Sequence, residues 1–326
     1  MTYIVVFILL FVAELLYFRI AEKYDIVDIP NHRSSHTKVT IRGGGVIYWV
    51  AALLYLLFAY SERALLFFIG LSLIAVVSFV DDVMGVRPRL RLLFHLLAMT
   101  CAFFIAKIFE SNTCWMIVGA YLMFVGIVNA YNFMDGINGI TGLYSIAVLA
   151  ALQYVNLEIF SFVQPNSIWF PIIASVVFLF FNFRKRARCF AGDVGSISIA
   201  FWIVTLLLLL IVRTQNLIWI GFLAVYGVDA VMTILHRIYL KQNLLVAHRL
   251  HFYQILVNER KQSHLVVSTL YFVAQLICSA LIIYFFPLIG WWILAIVLVL
   301  LVGVYSMKFR MMKPPCPPQG GSRKDS

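Results

Sequence analysis

Long apolar runs alternate along the chain with short polar stretches, and their length is that of a bilayer crossing. About eleven runs reach the roughly 17–22 residues that a membrane helix needs. They fall near residues 2–20, 43–60, 64–80, 91–108, 114–131, 139–156, 167–183, 194–212, 216–235, 265–285 and 288–307. A β-barrel would show short segments alternating every second residue, so the pattern predicts an all-α polytopic membrane protein with about 11 transmembrane helices. These helices bury against one another in one bundle, which makes residues 1–310 a single integral-membrane domain. The stretch PPCPPQGGSRKDS closes the chain, and residues 311–326 are predicted to be a disordered cytosolic tail. The opening MTYIVVFILLFVAELLYF lacks a basic leader region and a small-residue cleavage site, so it reads as the first membrane helix.

Composition strengthens the same reading. Of 326 residues, 63% are hydrophobic and only 12% charged, where soluble domains carry about a quarter charged residues. The five cysteines are scattered without a CxxC pair, which argues against a disulfide framework or a zinc site. The net charge of +11 would suggest nucleic acid as a partner for a soluble protein. Here it sets orientation instead, because cytosolic loops of membrane proteins are rich in Lys and Arg. With the N-terminus out and the C-terminus in, 22 of the 25 Lys and Arg residues fall on the cytosolic side, leaving Arg63, Lys107 and Arg213 outside. All seven histidines and Asp25, Asp28, Asp81, Asp82, Asp135, Asp193 and Asp229 then sort to that side as well. The positive-inside rule does not concern Asp or His, so their sorting is separate support for chemistry on the cytosolic face.

Five polar stretches on that face carry the chemistry. Asp25 to Gly45 holds acids, Arg33, His36 and Arg42 before Gly43-Gly44-Gly45, which open a membrane helix. Glycines there would let backbone N–H groups approach a phosphate, although a solvated basic loop would carry the same charges. Asp81-Asp82 ends an apolar run and is followed by Arg87, Arg89 and Arg91. The acids can hold Mg²⁺ or take a proton while the arginines hold phosphate oxygens. In NAYNFMDGING, Asn132, Asp135 and Asn138 are three apart and would share one face of a helix, with Gly136 and Gly139 keeping that face open. RKRARCFAGDVGS places Asp193 between glycines at the start of another span, a position suited to an oxygen ligand of Mg²⁺. AHRLHFYQIL gathers His248, Arg249 and His251, better suited to a sugar or pyrophosphate than to zinc. Together these residues call for a highly anionic substrate and a divalent cation beside a lipid. The inference is phosphoryl chemistry between a soluble nucleotide donor and a membrane lipid phosphate.

With these motifs in view, the chain resembles the polyprenyl-phosphate N-acetylhexosamine-1-phosphate transferases of glycosyltransferase family 4. The resemblance covers about residues 25–253 and rests on Asp28-Ile29-Pro30 with RSSH, Asp81-Asp82, NAYNFMDGING, FAGDVGS and the histidine stretch, all in the family's order. It implies transfer of an N-acetylated sugar 1-phosphate from a UDP-sugar to undecaprenyl phosphate, with release of UMP and with Mg²⁺ or Mn²⁺ as cofactor. It implies Asp193 as metal ligand with Asn132 assisting, and Asp81, Asp82, His248 and His251 as catalytic residues. Arg33, His36, Arg42, Asn132, Asp135, Asn138, Asn182, Phe190 and Arg249 are the expected substrate contacts, with Asn138, Asn182 and Phe190 matching the uridine pocket. It further implies the bacterial inner membrane, no nucleic-acid partner, and a homodimer as an allowed assembly. His248-Arg249-Leu250-His251 replaces a run of three histidines found in the peptidoglycan enzyme, which points to the branch initiating O-antigen or capsule chains. Val39 stands where a proline usually precedes the threonine. The competing reading is a transporter of a nucleotide-sugar or anionic lipid, which would need polar residues at midplane and an internal repeat. No repeat is visible, and few polar residues fall there.

Overall fold

The computed structural model describes residues 1–28, 39–111, 113–243, 246 and 248–312. Helix α1 (Thr2–Lys23) is followed by a short antiparallel pair, β1 (Val27–Asp28) and β2 (Thr40–Ile41). A 3-10 turn at Gly44–Val46 then leads into α2 (Ile47–Phe58). Next come α3 (Glu62–Met84), α4 (Pro88–Ile105), the short α5 (Ile108–Ser111) and α6 (Cys114–Met134). They are followed by α7 (Ile140–Glu158), α8 (Asn166–Asn182) and α9 (Gly192–Thr214). A 3-10 stretch, Leu217–Leu223, runs directly into α10 (Ala224–Tyr239), and α11 (Phe252–Asn258), α12 (His264–Ile289) and α13 (Trp292–Met311) close the bundle.

Among the described residues, nine helices are long and apolar enough to cross a membrane, with Leu217–Tyr239 taken as one. Gly44–Phe58 and Asn166–Asn182 are shorter apolar helices. Each predicted apolar run coincides with one of these segments. The ends differ where polar residues find partners: α3 continues through Asp81 and Asp82 to Met84, and α6 continues through Asn132 to Met134. Helix α13 runs to Met311, and residues 313–326 of the expected tail lie outside the described residues.

Helix α9 is the centre of the bundle. Of its most apolar window 89% is buried, against 17% for α6, so α9 is surrounded by protein while α6 lies at the rim. A helix apolar all round belongs in such a place. It packs against α2, α3, α6 and α7. Small residues permit the approach: Gly45, at the start of the α2 segment, meets Gly195 so closely that a Cβ on either would collide with the other's backbone. Outward-facing Leu122, Phe180, Leu270 and Val299 are exposed and form part of the lipid-facing belt.

The triple glycine does other work than expected. The Gly44 N–H donates to the Phe190 carbonyl at 2.8 Å and the Gly45 N–H to the Ala191 carbonyl at 3.1 Å. Those amides stitch the entry to α2 onto the segment before α9, so they do not present themselves to a phosphate. The Phe190 N–H completes the seam by donating to the Ile41 carbonyl at 2.8 Å.

Candidate active site

The adjacent acids at the end of α3 do not act as a pair. Successive helical residues point about 100° apart, and each carboxylate has found its own partners. Asp82 is fully buried at its side chain and accepts the Arg42 Nε–H at 2.8 Å. It also accepts the backbone N–H groups of Asp193 and Val194, each at 3.0 Å. It therefore caps the N-terminus of α9, where unsatisfied amides and the helix dipole favour an anion. Gly192 makes the cap fit, because its φ is +70° and a Cβ there would strike the Asp82 carboxylate. Asp81 turns the other way, accepting the Val86 N–H at 2.6 Å and Arg91 Nη1–H at 2.5 Å.

Asp193 occupies the second position of α9, raised above the cap that Asp82 supplies. Its Oδ1 accepts a hydrogen bond from Asn132 Nδ2 at 2.9 Å, and the same amide donates to Ser196 Oγ at 3.1 Å. Its Oδ2 lies 3.4 Å from Arg91 Nη1, a longer contact than Arg91 makes with Asp81. Arg91 thus ties the end of α3 to the start of α9. Asn132 is fixed with its amide nitrogen toward Asp193.

Asn132, Asp135 and Asn138 do not share a helix face, contrary to the expectation from their spacing. Helix α6 stops at Met134, Asp135 has φ −83° and ψ 61°, and α7 starts only after Gly139. The break is held by side chains: Asp135 Oδ1 accepts the Thr141 hydroxyl at 2.6 Å, and Asn182 Oδ1 accepts the Gly139 N–H at 2.6 Å. Nor do the glycines leave open space. Gly136 lies under the Tyr253 hydroxyl and Gly139 under the Phe183 ring. The three polar residues still meet, because the chain turns back on itself and all of them line one cavity. Asn138 is held by its Nδ2, which donates to the Arg184 carbonyl at 2.8 Å, and by Ser268, which donates to its carbonyl at 2.7 Å. Asn182 also lines the cavity, but its Nδ2 donates to the Cys189 carbonyl at 2.8 Å. Its amide joins two loops.

Burial pushes the Asp135 carboxyl up to about 7, with the charges of Asp193 and Asp82 adding to the rise and the Thr141 hydroxyl opposing it. A carboxyl raised in the fold contributes stability that is complete below its unfolded value and is lost as pH climbs through its folded one. In metal-free protein, Asp135→Asn should therefore gain thermal midpoint relative to wild type as pH rises from about 4 to about 7, with no further gain above that. Parallel melting curves against pH check this; a constant difference between the two proteins contradicts it.

The histidine stretch is organised by Asp229 of α10. Its oxygens accept the Tyr271 hydroxyl at 2.6 Å and the Phe252 N–H at 2.9 Å, and His251 Nδ1 lies 3.3 Å away. His251 Nδ1 is thus turned toward the Asp229 carboxylate and the first turn of α11, and its Nε2 is left facing elsewhere. His248 uses Nδ1 to accept the Leu250 N–H at 3.3 Å, which leaves its Nε2–H as a donor. Burial, followed by the neighbouring charges of His251, Arg237 and Lys308, lowers His248 to about 4, so the ring is neutral at pH 7. Gln254, one turn into α11, forms a capping box with His251: its side-chain oxygen accepts the His251 backbone N–H at 3.2 Å, and its own backbone N–H donates to the His251 ring.

Two cavities result. A polar one of about 280 Å³ is lined by Arg42, Asn132, Asp135, Asn138, Asp193 and Phe190, together with Asp28, His264 and other residues. A larger one of about 590 Å³ is lined by Arg91, His95, Arg237, His248 and His251, with Pro88, Leu92, Phe133 and Val246 as its apolar part. Gln254 lines both. Arg249 lines neither cavity. Arg33 and His36 lie outside the described residues. Sequence reasoning named neither Gln254 nor His264 as a site residue, since a lone amide and a histidine opening a helix carry no spacing signal. His95 did carry one: it is an ionisable residue inside an apolar span, one turn beyond Arg91.

A family model, glycosyl transferase family 4, matches residues 64–211. The chain is 29% identical over 263 residues to the "Probable undecaprenyl-phosphate N-acetylglucosaminyl 1-phosphate transferase" of Bacillus subtilis (strain 168), covering 73% of this chain and 72% of that one. It is 25% identical over 222 residues to the undecaprenyl-phosphate alpha-N-acetylglucosaminyl 1-phosphate transferase of Escherichia coli (strain K12), covering 62% of this chain and 60% of that one. It is 27% identical over 241 residues to a phospho-N-acetylmuramoyl-pentapeptide-transferase of Streptococcus thermophilus (strain CNRZ 1066), covering 63% and 68%.

Proposed function

We propose, since the chain belongs to glycosyl transferase family 4 and to its polyprenyl-phosphate N-acetylhexosamine-1-phosphate transferases, that it transfers an N-acetylated sugar 1-phosphate from a UDP-sugar to undecaprenyl phosphate. UMP is the second product, and the lipid-linked sugar begins a surface polysaccharide. The observation that carries this reading is the pair of adjoining cavities, one polar and one part apolar and cationic, with Gln254 common to both. A nucleotide donor suits the first, and a phosphate at the end of a hydrocarbon chain suits the second. The relatives named above are transferases, which leaves the transporter reading without support.

In this reading the donor pyrophosphate lies beside Asp193, and an oxygen of the lipid phosphate attacks the phosphorus next to the sugar. The phosphorus–oxygen bond to UMP breaks and the nucleotide carries away the electron pair. Arg42 and Arg91 stabilise charge on the transferring group, where phosphoryl transfer gains most. His248 donates from Nε2 to a phosphate oxygen, and Asp229 orients His251 to face the same group. The expected Mg²⁺ suits the donor set, because Asp193 lines the polar cavity with its Oδ2 in only a 3.4 Å contact, and Mg²⁺ commonly takes one or two carboxylates plus substrate phosphates. Asp193 would hold it, with the Asn132 amide beside it, and the ion would neutralise charge on the pyrophosphate. The active site faces the cytosol, as the distribution of Lys and Arg implies, in a bacterial inner membrane. The donor is a UDP-N-acetylhexosamine rather than a muramoyl peptide, given His248-x-x-His251 in place of three consecutive histidines.

Detergent-purified protein mixed with undecaprenyl phosphate and a panel of UDP-N-acetyl sugars should release UMP without any membrane gradient. The lipid product should gain the mass of one sugar phosphate. Absence of UMP with every donor overturns the proposal.

A further inference from the structure

We infer that His95 is a further binding residue of the acceptor site, donating from its imidazole to an oxygen of the lipid phosphate and so fixing where that phosphate stops in the cleft. The inference rests on the acceptor being a lipid phosphate, as proposed above. His95 is 3% exposed, and its Nε2 is buried without a hydrogen-bond partner. A buried polar atom left unpaired costs about 1–3 kcal/mol, so such an atom beside a cavity asks for a ligand. The cavity is the larger one, which His95 lines.

The surroundings identify the ligand's chemistry. His95 lies four residues beyond Arg91 on α4, on the same face one turn further into the membrane span. Among the described residues, two arginines and three histidines line the cleft and no Asp or Glu does. Asp229 stands behind His251 with its oxygens engaged by Tyr271, Thr233 and the start of α11. A lining of two guanidinium groups and three imidazoles is rich in hydrogen-bond donors and suits an anion, and Leu92, Phe133 and Val246 beside it suit one that carries an apolar chain. A phosphate monoester on a polyprenyl chain meets both demands. Arg91 lines the cleft where it contacts Asp193, and His95 lines it one turn further along α4. A phosphate seated between them stays close to the donor while its chain leaves along the apolar wall.

The test uses full-length protein with three variants. His95→Leu removes the donor, His95→Asn shortens it out of reach, and His95→Gln replaces it with an amide of similar length. Both loss variants should raise the KM for undecaprenyl phosphate about tenfold or more while leaving the KM for the UDP-sugar within about twofold, and His95→Gln should restore most of the loss. Stabilisation of the protein by undecaprenyl phosphate alone, read as a melting shift, should weaken in the same order. An unchanged acceptor KM overturns the proposal, as does an equal rise for both substrates or a failure of glutamine to rescue. If inorganic phosphate alone produces the His95-dependent shift, the site takes a free anion and the lipid assignment fails. The melting shift needs no turnover, so wild-type protein that binds the lipid yet releases no UMP would contradict the proposed reaction and leave the His95 assignment standing.

Discussion

Asp193→Asn lowers UMP release at least about a hundredfold, while the protein keeps its fold. The two halves of that expectation come from the two oxygens of one carboxylate. Oδ1 accepts the Asn132 amide at 2.9 Å, and an asparagine carbonyl oxygen at the same place can go on accepting it. Oδ2 makes only a 3.4 Å contact with Arg91 and belongs to a side chain that is 20% exposed, lining the polar cavity. Replacing that oxygen by an amide nitrogen removes an anionic ligand for Mg²⁺ and places a donor beside a cation. The loss therefore falls on substrate and metal rather than on packing, and the melting midpoint should move by no more than about 1 kcal/mol of stability. UMP release measured across a Mg²⁺ titration is the check. A variant that reaches the wild-type rate at saturating Mg²⁺ and ordinary donor concentration removes Asp193 from the reaction.

The fold was largely legible because membrane spans are written in composition. Each apolar run had to become a helix, since no other open structure satisfies its backbone in lipid. What the pattern could not tell was where a polar residue ends a helix and where it is absorbed into one. Asp82 reads as an acid able to hold Mg²⁺ or take a proton, yet its carboxylate is fully buried, because the amides of Asp193 and Val194 are brought to it from far along the chain. The site was legible as a set of residues and not as an arrangement. Asn132, Asp135 and Asn138 do converge, through a broken helix rather than a continuous one, because Thr141 and Asn182 hold the turn open. The glycines around them and before α2 looked like room for a ligand. They are room for Tyr253, Phe183 and the backbone of α9. A glycine in a sequence marks a close approach without saying what approaches.

Asp82→Asn should cost about 3 kcal/mol or more of stability and with it most of the folded protein, whereas Asp81→Asn should leave a folded protein with impaired activity. The Asp82 carboxylate has 0% side-chain exposure and serves three donors at once: Arg42 and two amides at the N-terminus of α9. An asparagine offers one acceptor oxygen and presents an NH₂ group to whatever remains. At least one N–H at the head of the central helix then faces another donor, and the Arg42 charge loses its counter-ion. Asp81 is 13% exposed and binds Arg91 and one loop amide, so its loss frees Arg91 at the site without uncapping a helix. Both variants should release less UMP, and the melting curve separates the causes. A folded yield and midpoint for Asp82→Asn equal to wild type, with activity gone, would return Asp82 to the reacting groups. A depressed midpoint for Asp82→Asn alone makes it the residue that sets α9, and therefore Asp193, in place.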